Sequence, residues 1–349
     1  MSCSGMEINT HQHGGVPQST FERLGVEPGP VIDFSVNISP LGVPDCLLKT
    51  WDDMPALLTS YPEIMGNGVH TFYENRFNLP SDAVLAGNGS IELIYLIPRA
   101  LGWKKVLVPQ PSFFEYRRAC ELAGCEIDLG QLEDFSDHDA IYIGSPNNPT
   151  GTTIPASTLL ELADANPNRW IVVDQAFIDF CEHQEQITLL HPDRLRKNLI
   201  VLHSLTKFYA LPGLRIGAAV SHPETTARLA EFKEPWTINA IAQKACELMA
   251  YDSSYDDKLH ALITIERKRM REALARMPQF EIQPGGKANF LLLHWKGDRN
   301  LDELLKHLLE RGLFVRDCRN FPNLPDHCFR IAIRTAEEND RLLEALKYA

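Results

Sequence analysis

The sequence predicts an α/β fold: a mostly parallel sheet flanked by helices, joined to a smaller α+β domain. Three observations predict it. Between residues 83 and 220, short runs that are apolar throughout recur, most of them followed by a polar or Gly-rich corner and then residues with helical spacing. Strands covered on both faces read as unbroken apolar runs, and their alternation with helices implies parallel pairing. After about residue 231 the pattern changes to long amphipathic helices and then a short α+β alternation. The chain of 349 residues is also long enough for one large domain and a smaller one, each with its own core.

Residues 1–30 are polar and rich in Gly and Pro, with His11 and His13 just before Gly14-Gly15. Such a segment reads as an arm with little core of its own, although paired glycines let backbone approach a ligand closely. The next stretch alternates Ile32, Phe34 and Val36 with polar neighbours and breaks at Ser39-Pro40, as a short strand entering a loop does, with Asn37 at its exit. Residues 51–58 suit a short helix, and Tyr61 is extended because it precedes Pro62. The regular part then begins. AVLAG leads into Asn88-Gly89-Ser90 and a helix; KVLVP precedes a helix over 113–122; AIYIG precedes SPNNPTG; WIVVD precedes Gln175-Ala176-Phe177; LIVLH leads to Lys207; IGAAV follows. Beyond it, residues 234–251 and 256–277 read as amphipathic helices, the second linking two domains. Strands are expected at 289–294, 313–316 and 328–333, with helices at 301–311 and at the C-terminus. The resulting division is an N-terminal arm over 1–40 that packs with the small domain, a large domain over 41–233 and a small α+β domain over 234–349.

A net charge of −12 argues against a nucleic acid or an anionic membrane as the main partner, because phosphate backbones recruit clustered Lys and Arg. Any anionic ligand must be met by local cations. The eight cysteines are scattered without a C-x-x-C pair, which suggests neither a zinc site nor a disulfide framework. No metal is expected. The first residues lack the basic start and apolar core of a signal peptide, and no uncharged run reaches membrane-spanning length, so a soluble, cytoplasmic protein is expected.

In open α/β sheets ligands bind outside the carboxyl ends of the strands, and the reactive residue types fall there. Lys207 follows the LIVLH strand, three residues after Ser204, and Arg215 comes eight residues later beyond a Pro-Gly turn. Asp174 closes WIVVD. A buried carboxylate there needs a cationic partner, or its pKa rises and it neutralises. A protonated pyridine nitrogen is such a partner. Gly87, Asn88 and Gly89 precede a helix whose N-terminal N–H groups can take an anion. Asn148 sits in a proline-bounded turn with an amide that can donate to a ring oxygen, and Phe113, after Pro109 and Pro111, can cover one face of a planar ring. Taken singly, Asp174 also reads as a cap, Asn148 as a turn residue and Phe113 as core.

Together, a Gly-Asn-Gly corner, an aromatic shelf, PNNPTG, an Asp at a strand end and Ser-x-x-Lys with a following Arg resemble the fold-type I pyridoxal-phosphate enzymes, over nearly the whole chain and in the same order. The resemblance implies a PLP-dependent, aminotransferase-like fold with pyridoxal 5'-phosphate as cofactor. It implies that Lys207 holds the cofactor as a Schiff base, that Asp174 pairs with the ring nitrogen, and that Asn148 reaches the ring hydroxyl oxygen. Gly87, Asn88, Gly89, Ser204 and Arg215 would hold the phosphate, Phe113 would stack on the ring, and Tyr61 would enter from the second subunit of a homodimer.

Two branches of that family are similar to this chain: the histidinol-phosphate aminotransferases and the phosphothreonine decarboxylases of cobalamin biosynthesis. HGG followed by DFSVNISPLG, then SLTKFYALPGLRIG and PWTINA, resemble the decarboxylases. Phe177 stands where the aminotransferase pattern has a tyrosine that binds the ring oxygen. Arg316 and Arg330 lie fourteen residues apart, with Arg334 beyond. A substrate with both a carboxylate and a phosphate monoester needs several fixed cations, and guanidinium suits both anions. The resemblance assigns substrate contacts to His13, Gly14, Asn37, Asn148, Arg316 and Arg330, and leaves open which arginine meets which anion. The implied substrate is O-phospho-L-threonine or its serine analogue; the aminotransferase is the alternative.

Overall fold

The structure is a computed structural model and describes residues 14–15, 18–298 and 300–349. In chain order its strands are β1 (Ile32–Asp33), β2 (Val84–Asn88), β3 (Lys105–Leu107), β4 (Glu126–Asp128), β5 (Ala140–Gly144), β6 (Trp170–Asp174), β7 (Leu199–Ser204), β8 (Ile216–Val220), β9 (Phe280–Ile282), β10 (Phe290–Trp295), β11 (Leu313–Phe314), β12 (Arg316–Asp317) and β13 (Cys328–Ala332). Seven form one sheet in the order β2-β8-β7-β6-β5-β3-β4. All run in the same direction except β8, which is antiparallel to both neighbours. An apolar run such as IGAAV carries no mark of strand direction, so the reversal is not readable from the sequence.

Alternate residues of the central strands enter different cores. Ile171, Val173, Leu199 and Val201 join one cluster, while Val172, Ile200 and Leu202 join the other, where Gly89–Leu101 and Phe114–Leu122 cover the sheet. Each such fully buried side chain contributes about 1.5–3 kcal/mol. This double burial is the reason for the unbroken apolar runs. The antiparallel β12-β13-β10-β9 sheet forms the C-terminal unit. The helix Ser254–Leu274 ties it to the large sheet through Arg267, which donates to the carbonyls of Lys287 and Ala288 and to Glu182. The helix Ala240–Met249 lies against Asn67–Phe77, where a Cβ at Gly68 would stand 2.1 Å from the Gln243 carbonyl oxygen.

Several elements differ from the sequence expectation. The strand beginning at Ile32 pairs only over two residues, because Ser35 turns to place its N–H and hydroxyl on Asp33 Oδ1 at 2.7 and 2.6 Å. The expected strand 313–316 serves two sheets: β11 pairs parallel with β1, and β12 pairs antiparallel with β13. Trp51–Thr59 forms a 3-10 helix around Pro55, whose missing N–H disfavours an α-helix. The helices Asn67–Phe77, Ala156–Ala165 and Pro223–Ala230 and the strand β9 were not expected. Among the described residues no helix is long and apolar enough to cross a membrane, and the seven described cysteines are free thiols.

Candidate active site

The carboxyl ends of β2, β5, β6 and β7 share one edge of the large sheet, and the antiparallel β8 begins there: Asn88 faces Ile216, and Ser204 faces Gly217. Arg215, one residue before β8, is thereby delivered to the same edge as Asn88, Asp174 and Ser204.

Lys207 lies in a single helical turn, Leu205–Phe208, at the end of β7. Its Nζ donates to Ser204 Oγ at 3.3 Å and stands 6.0 Å from the centre of the Phe177 ring. The Ser204 and Thr206 hydroxyls are 2.8 Å apart. Burial pushes the Lys207 amine below its ordinary value, opposed by the charge of Asp174 and reinforced by Arg215. A lowered pKa gives the neutral amine that nucleophilic attack requires.

Asp174 is buried at the end of the neighbouring strand. Its Oδ1 accepts the Ala176 N–H and its Oδ2 accepts the Tyr116 hydroxyl, each at 2.8 Å. Burial pushes this carboxyl up, while Tyr116, the Ala176 N–H and Lys207 act against the rise. Lys207, Asp174, Phe113, Asn148 and Phe177 line one cavity, and an adjoining cavity of about 390 Å³ is lined by Phe113, Ser204, Lys207 and Arg215.

The glycine corner is built for close approach. Gly89 has φ +70°, and a Cβ there would sit 2.6 Å from Arg215 Nη2. A Cβ at Gly87 would meet Leu93 at 2.6 Å. Arg215 itself adopts the left-handed conformation (φ 59°), which is uncommon for a side-chain-bearing residue, and its Nη1 donates to the Pro212 carbonyl at 3.0 Å. The 13-residue helix that starts at Gly89 directs its N-terminal N–H groups to this corner, so an anion there meets both the helix end and a guanidinium.

A third group enters from the C-terminal sheet. The Arg330 guanidinium donates to Asn148 Oδ1 and, at 2.7 Å, to the Ser35 carbonyl; among the described residues its Nε has no partner. Burial lowers its pKa to about 10, which leaves it charged at neutral pH. Arg316 is the direct cross-strand partner of Arg330, also buried, with Nη2 on Asn320 Oδ1 at 3.0 Å. The segment 33–39 links the groups. Phe34 bonds to Phe314 and Ala332, Ser35 accepts Arg330, and the Ser39 N–H donates to the Lys207 carbonyl at 2.9 Å. Asn37 is buried in this segment, and its Oδ1 has no hydrogen-bond partner among the described residues. Gly14 touches the same segment, since a Cβ on it would stand 2.6 Å from the Ser35 carbonyl oxygen.

Lys207, Asp174, Asn148, Phe113, Ser204, Arg215 and the glycine corner therefore converge, with Arg330 and Arg316 beside them. His13 lies outside the described residues. Tyr61 is not among the cavity residues: it is 85% exposed and packs on Trp236 at a ring distance of 5.2 Å. Two participants escaped the sequence reading. Tyr116 looks like any helical core aromatic, and the only signal was its place one turn after Phe113. Ser35 acts through its backbone, which leaves no trace in residue type.

The aminotransferase class I and II family model matches residues 31–346. The chain is 34% identical to a threonine-phosphate decarboxylase of Salmonella typhimurium, over 98% of this chain and 97% of that protein. It is 30% identical to a histidinol-phosphate aminotransferase of Symbiobacterium thermophilum, over 96% and 94%. Its fold superposes on the crystal structure of the L-threonine-O-3-phosphate decarboxylase of Porphyromonas gingivalis with a TM-score of 0.82 at 27% identity, covering 90% of this chain and 98% of that one.

Proposed function

Because the chain belongs to the aminotransferase class I and II family, we propose that it is a pyridoxal-phosphate-dependent decarboxylase. It converts O-phospho-L-threonine to CO2 and (R)-1-amino-2-propanol O-phosphate, in cobalamin biosynthesis. The observation that carries the substrate class is the facing of Arg316 and Arg330 across β12 and β13, both buried. Guanidinium binds both carboxylate and phosphate by paired hydrogen bonds, so two of them side by side suit a ligand with a carboxylate and a phosphate monoester. The full-length similarity to the Salmonella decarboxylase supports the reaction. So does Phe177, which presents no hydroxyl to the ring oxygen that the aminotransferase pattern binds.

The residues suit the cofactor. Asp174 is a buried carboxylate in need of a cation, and Gly89, where a Cβ would press on Arg215, lets the guanidinium lie close to the helix end beside a cavity lined by Ser90, Ser204 and Arg215. In this reading residues 41–233 hold the cofactor and 234–349 supply the two arginines, with the arm over 1–40 bringing His13 and Gly14 to the substrate. Ser204, Arg215 and the backbone of Gly87, Asn88 and Gly89 hold the phosphate, Phe113 lies on the ring, and Asn148 meets the ring oxygen. When bound, the cofactor supplies an electron sink for the pair left by the departing carboxylate. Lys207, whose lowered pKa favours the neutral amine, would be the residue that holds the cofactor; once free, its amine would take up the proton given up by the substrate ammonium and return a proton to Cα as general acid. Arg316, Arg330 and Asn37 would hold the substrate anions and so fix which bond to Cα is the one broken. Water is kept from the reacting carbon by Phe113 and Phe177. Tyr61 completes the site of a second copy, which makes the working unit a homodimer.

The test is to add O-phospho-L-threonine to the cofactor-loaded protein and follow CO2 and the amine product. Stoichiometric CO2 with no requirement for an oxo acid is expected, and it is abolished by Lys207→Ala. Conversion of the cofactor to its amine form by histidinol phosphate or glutamate, without CO2, would establish the aminotransferase instead.

A further inference from the structure

Tyr116 is buried between the proposed ring shelf and the proposed ring-nitrogen partner. Its ring stacks on Tyr142 at 5.2 Å and 10°, and meets the Phe113 ring edge-on at 5.5 Å. Its hydroxyl, with one proton to give, gives it to Asp174 Oδ2 at 2.8 Å. A donor fixed on a carboxylate favours the ionised form of that carboxylate. Burial and the charge of Asp174 push the Tyr116 phenol well above its ordinary value, so it remains a donor throughout the working pH range.

We propose that Tyr116 is a positioning residue for the cofactor: clamped between Phe113 and Tyr142, it locks Asp174 in the ionised, correctly rotated state that binds the protonated ring nitrogen. This rests on the reading of Asp174 given above. The two carboxylate oxygens have different jobs. Oδ1 is fixed by the Ala176 N–H of its own loop, and Oδ2 by a residue of another element, the helix Phe114–Leu122. With both oxygens anchored, the carboxylate is held against rotation at the wall of the cavity that Tyr116 and Asp174 line together. The same side chain that buttresses the shelf therefore sets the charge at the far end of the ring.

The test compares the affinity of the cofactor-free protein for pyridoxal phosphate and for an analogue with C–H in place of the ring nitrogen. Tyr116→Phe keeps the ring packing and removes the donor. It is expected to weaken pyridoxal phosphate by about tenfold, as loss of a hydrogen bond to a charged group does, and to leave the analogue unchanged. Tyr142→Phe is the control. It loses a comparable buried hydrogen bond, to the Ile94 carbonyl at 3.0 Å, and should shift neither ligand selectively. In an Asp174→Ala background, Tyr116→Phe should have no further effect on the ratio of the two affinities. Equal weakening of both ligands, or of neither, overturns the proposal and leaves Tyr116 as packing. A different failure, in which Asp174→Ala alone leaves the preference for pyridoxal phosphate intact, would instead overturn the assignment of Asp174 and the role of Tyr116 with it.

Discussion

Arg316 and Arg330 are direct partners across two antiparallel strands, both buried, and burial holds Arg330 at a pKa of about 10 with the charge of Arg316 adding to the depression. Two buried guanidinium groups on neighbouring strands suit an anionic ligand, because each can bind a carboxylate or a phosphate by paired hydrogen bonds. Arg330→Lys keeps the charge but loses the forked contact to Asn148 and Ser35. Truncating one partner of a buried, hydrogen-bonded charge costs about 2 kcal/mol or more, so kcat/KM for phosphothreonine should fall by at least about 30-fold. Steady-state CO2 release checks it, with Arg334→Lys as a comparison whose effect should be smaller.

Asp174 predicts a trade between stability and function. Burial raises its folded-state pKa above the unfolded value. The native state then binds more protons between the two values, so stability falls as pH rises through that interval, and the full cost is present above it. Asp174→Asn removes this cost. In the cofactor-free protein at about pH 8, well above the ordinary carboxylate pKa of about 4, the variant should melt at a higher temperature than wild type, and the gap should close on acidification. Lys207 has the opposite sign: its depressed pKa makes stability rise with pH toward its ordinary value, and that rise should persist in the variant. Scanning calorimetry across pH, paired with cofactor titration, should show a more stable protein that binds the cofactor less well.

Much of this site was legible because strand-end corners carry their chemistry in residue type. Lys207 and Asp174 stand at corners that end apolar runs and Arg215 at one that begins such a run, and the seven-stranded sheet brings those corners to one edge. What was not legible depends on groups that the sequence does not distinguish. Tyr116 is one core aromatic among many until its hydroxyl is seen on Asp174, and Ser35 contributes a carbonyl. The reversal of β8, which delivers Arg215 to the corner, is hidden because its flat apolar run reads the same in both directions. The alternation at Ile32, Phe34 and Val36 suggested a longer strand than forms, because the local hydrogen bonds of Ser35 to Asp33 outcompete the ladder.

Gly89 and Gly102 allow backbone strain to be separated from site geometry. Both have positive φ, +70° and +66°, but a Cβ at Gly89 would meet Arg215 Nη2 at 2.6 Å, whereas nothing lies within 4 Å of one at Gly102. Alanine at either position pays a left-handed penalty of about 1–2 kcal/mol. Gly89→Ala should in addition displace Arg215 and weaken cofactor binding, while Gly102→Ala should lose comparable stability with affinity unchanged. Thermal melts and cofactor titration on the two variants measure the difference.

Tyr61 yields the last prediction. It is 85% exposed, packs on the half-exposed Trp236 and lies apart from the cavity residues of its own chain, and Trp51 and Leu58 are also exposed on the preceding 3-10 helix. Large apolar side chains gathered on a surface mark an interaction site, and a two-fold dimer would carry Tyr61 of each copy to the other's site. Under this arrangement Tyr61→Ala and Lys207→Ala are each inactive or severely impaired as homodimers, yet complement each other when mixed. In a hybrid, the Lys207 of the Tyr61→Ala chain meets the intact Tyr61 of the Lys207→Ala chain, restoring one site of two. Random exchange makes half of all dimers hybrid, so the mixture should recover about one quarter of wild-type activity per site. Recovery of CO2 release on denaturing and refolding the two variants together, with none when they are refolded apart, is the expected result. No recovery from a mixture shown by mass to contain hybrids would mean that each site is built from one chain alone.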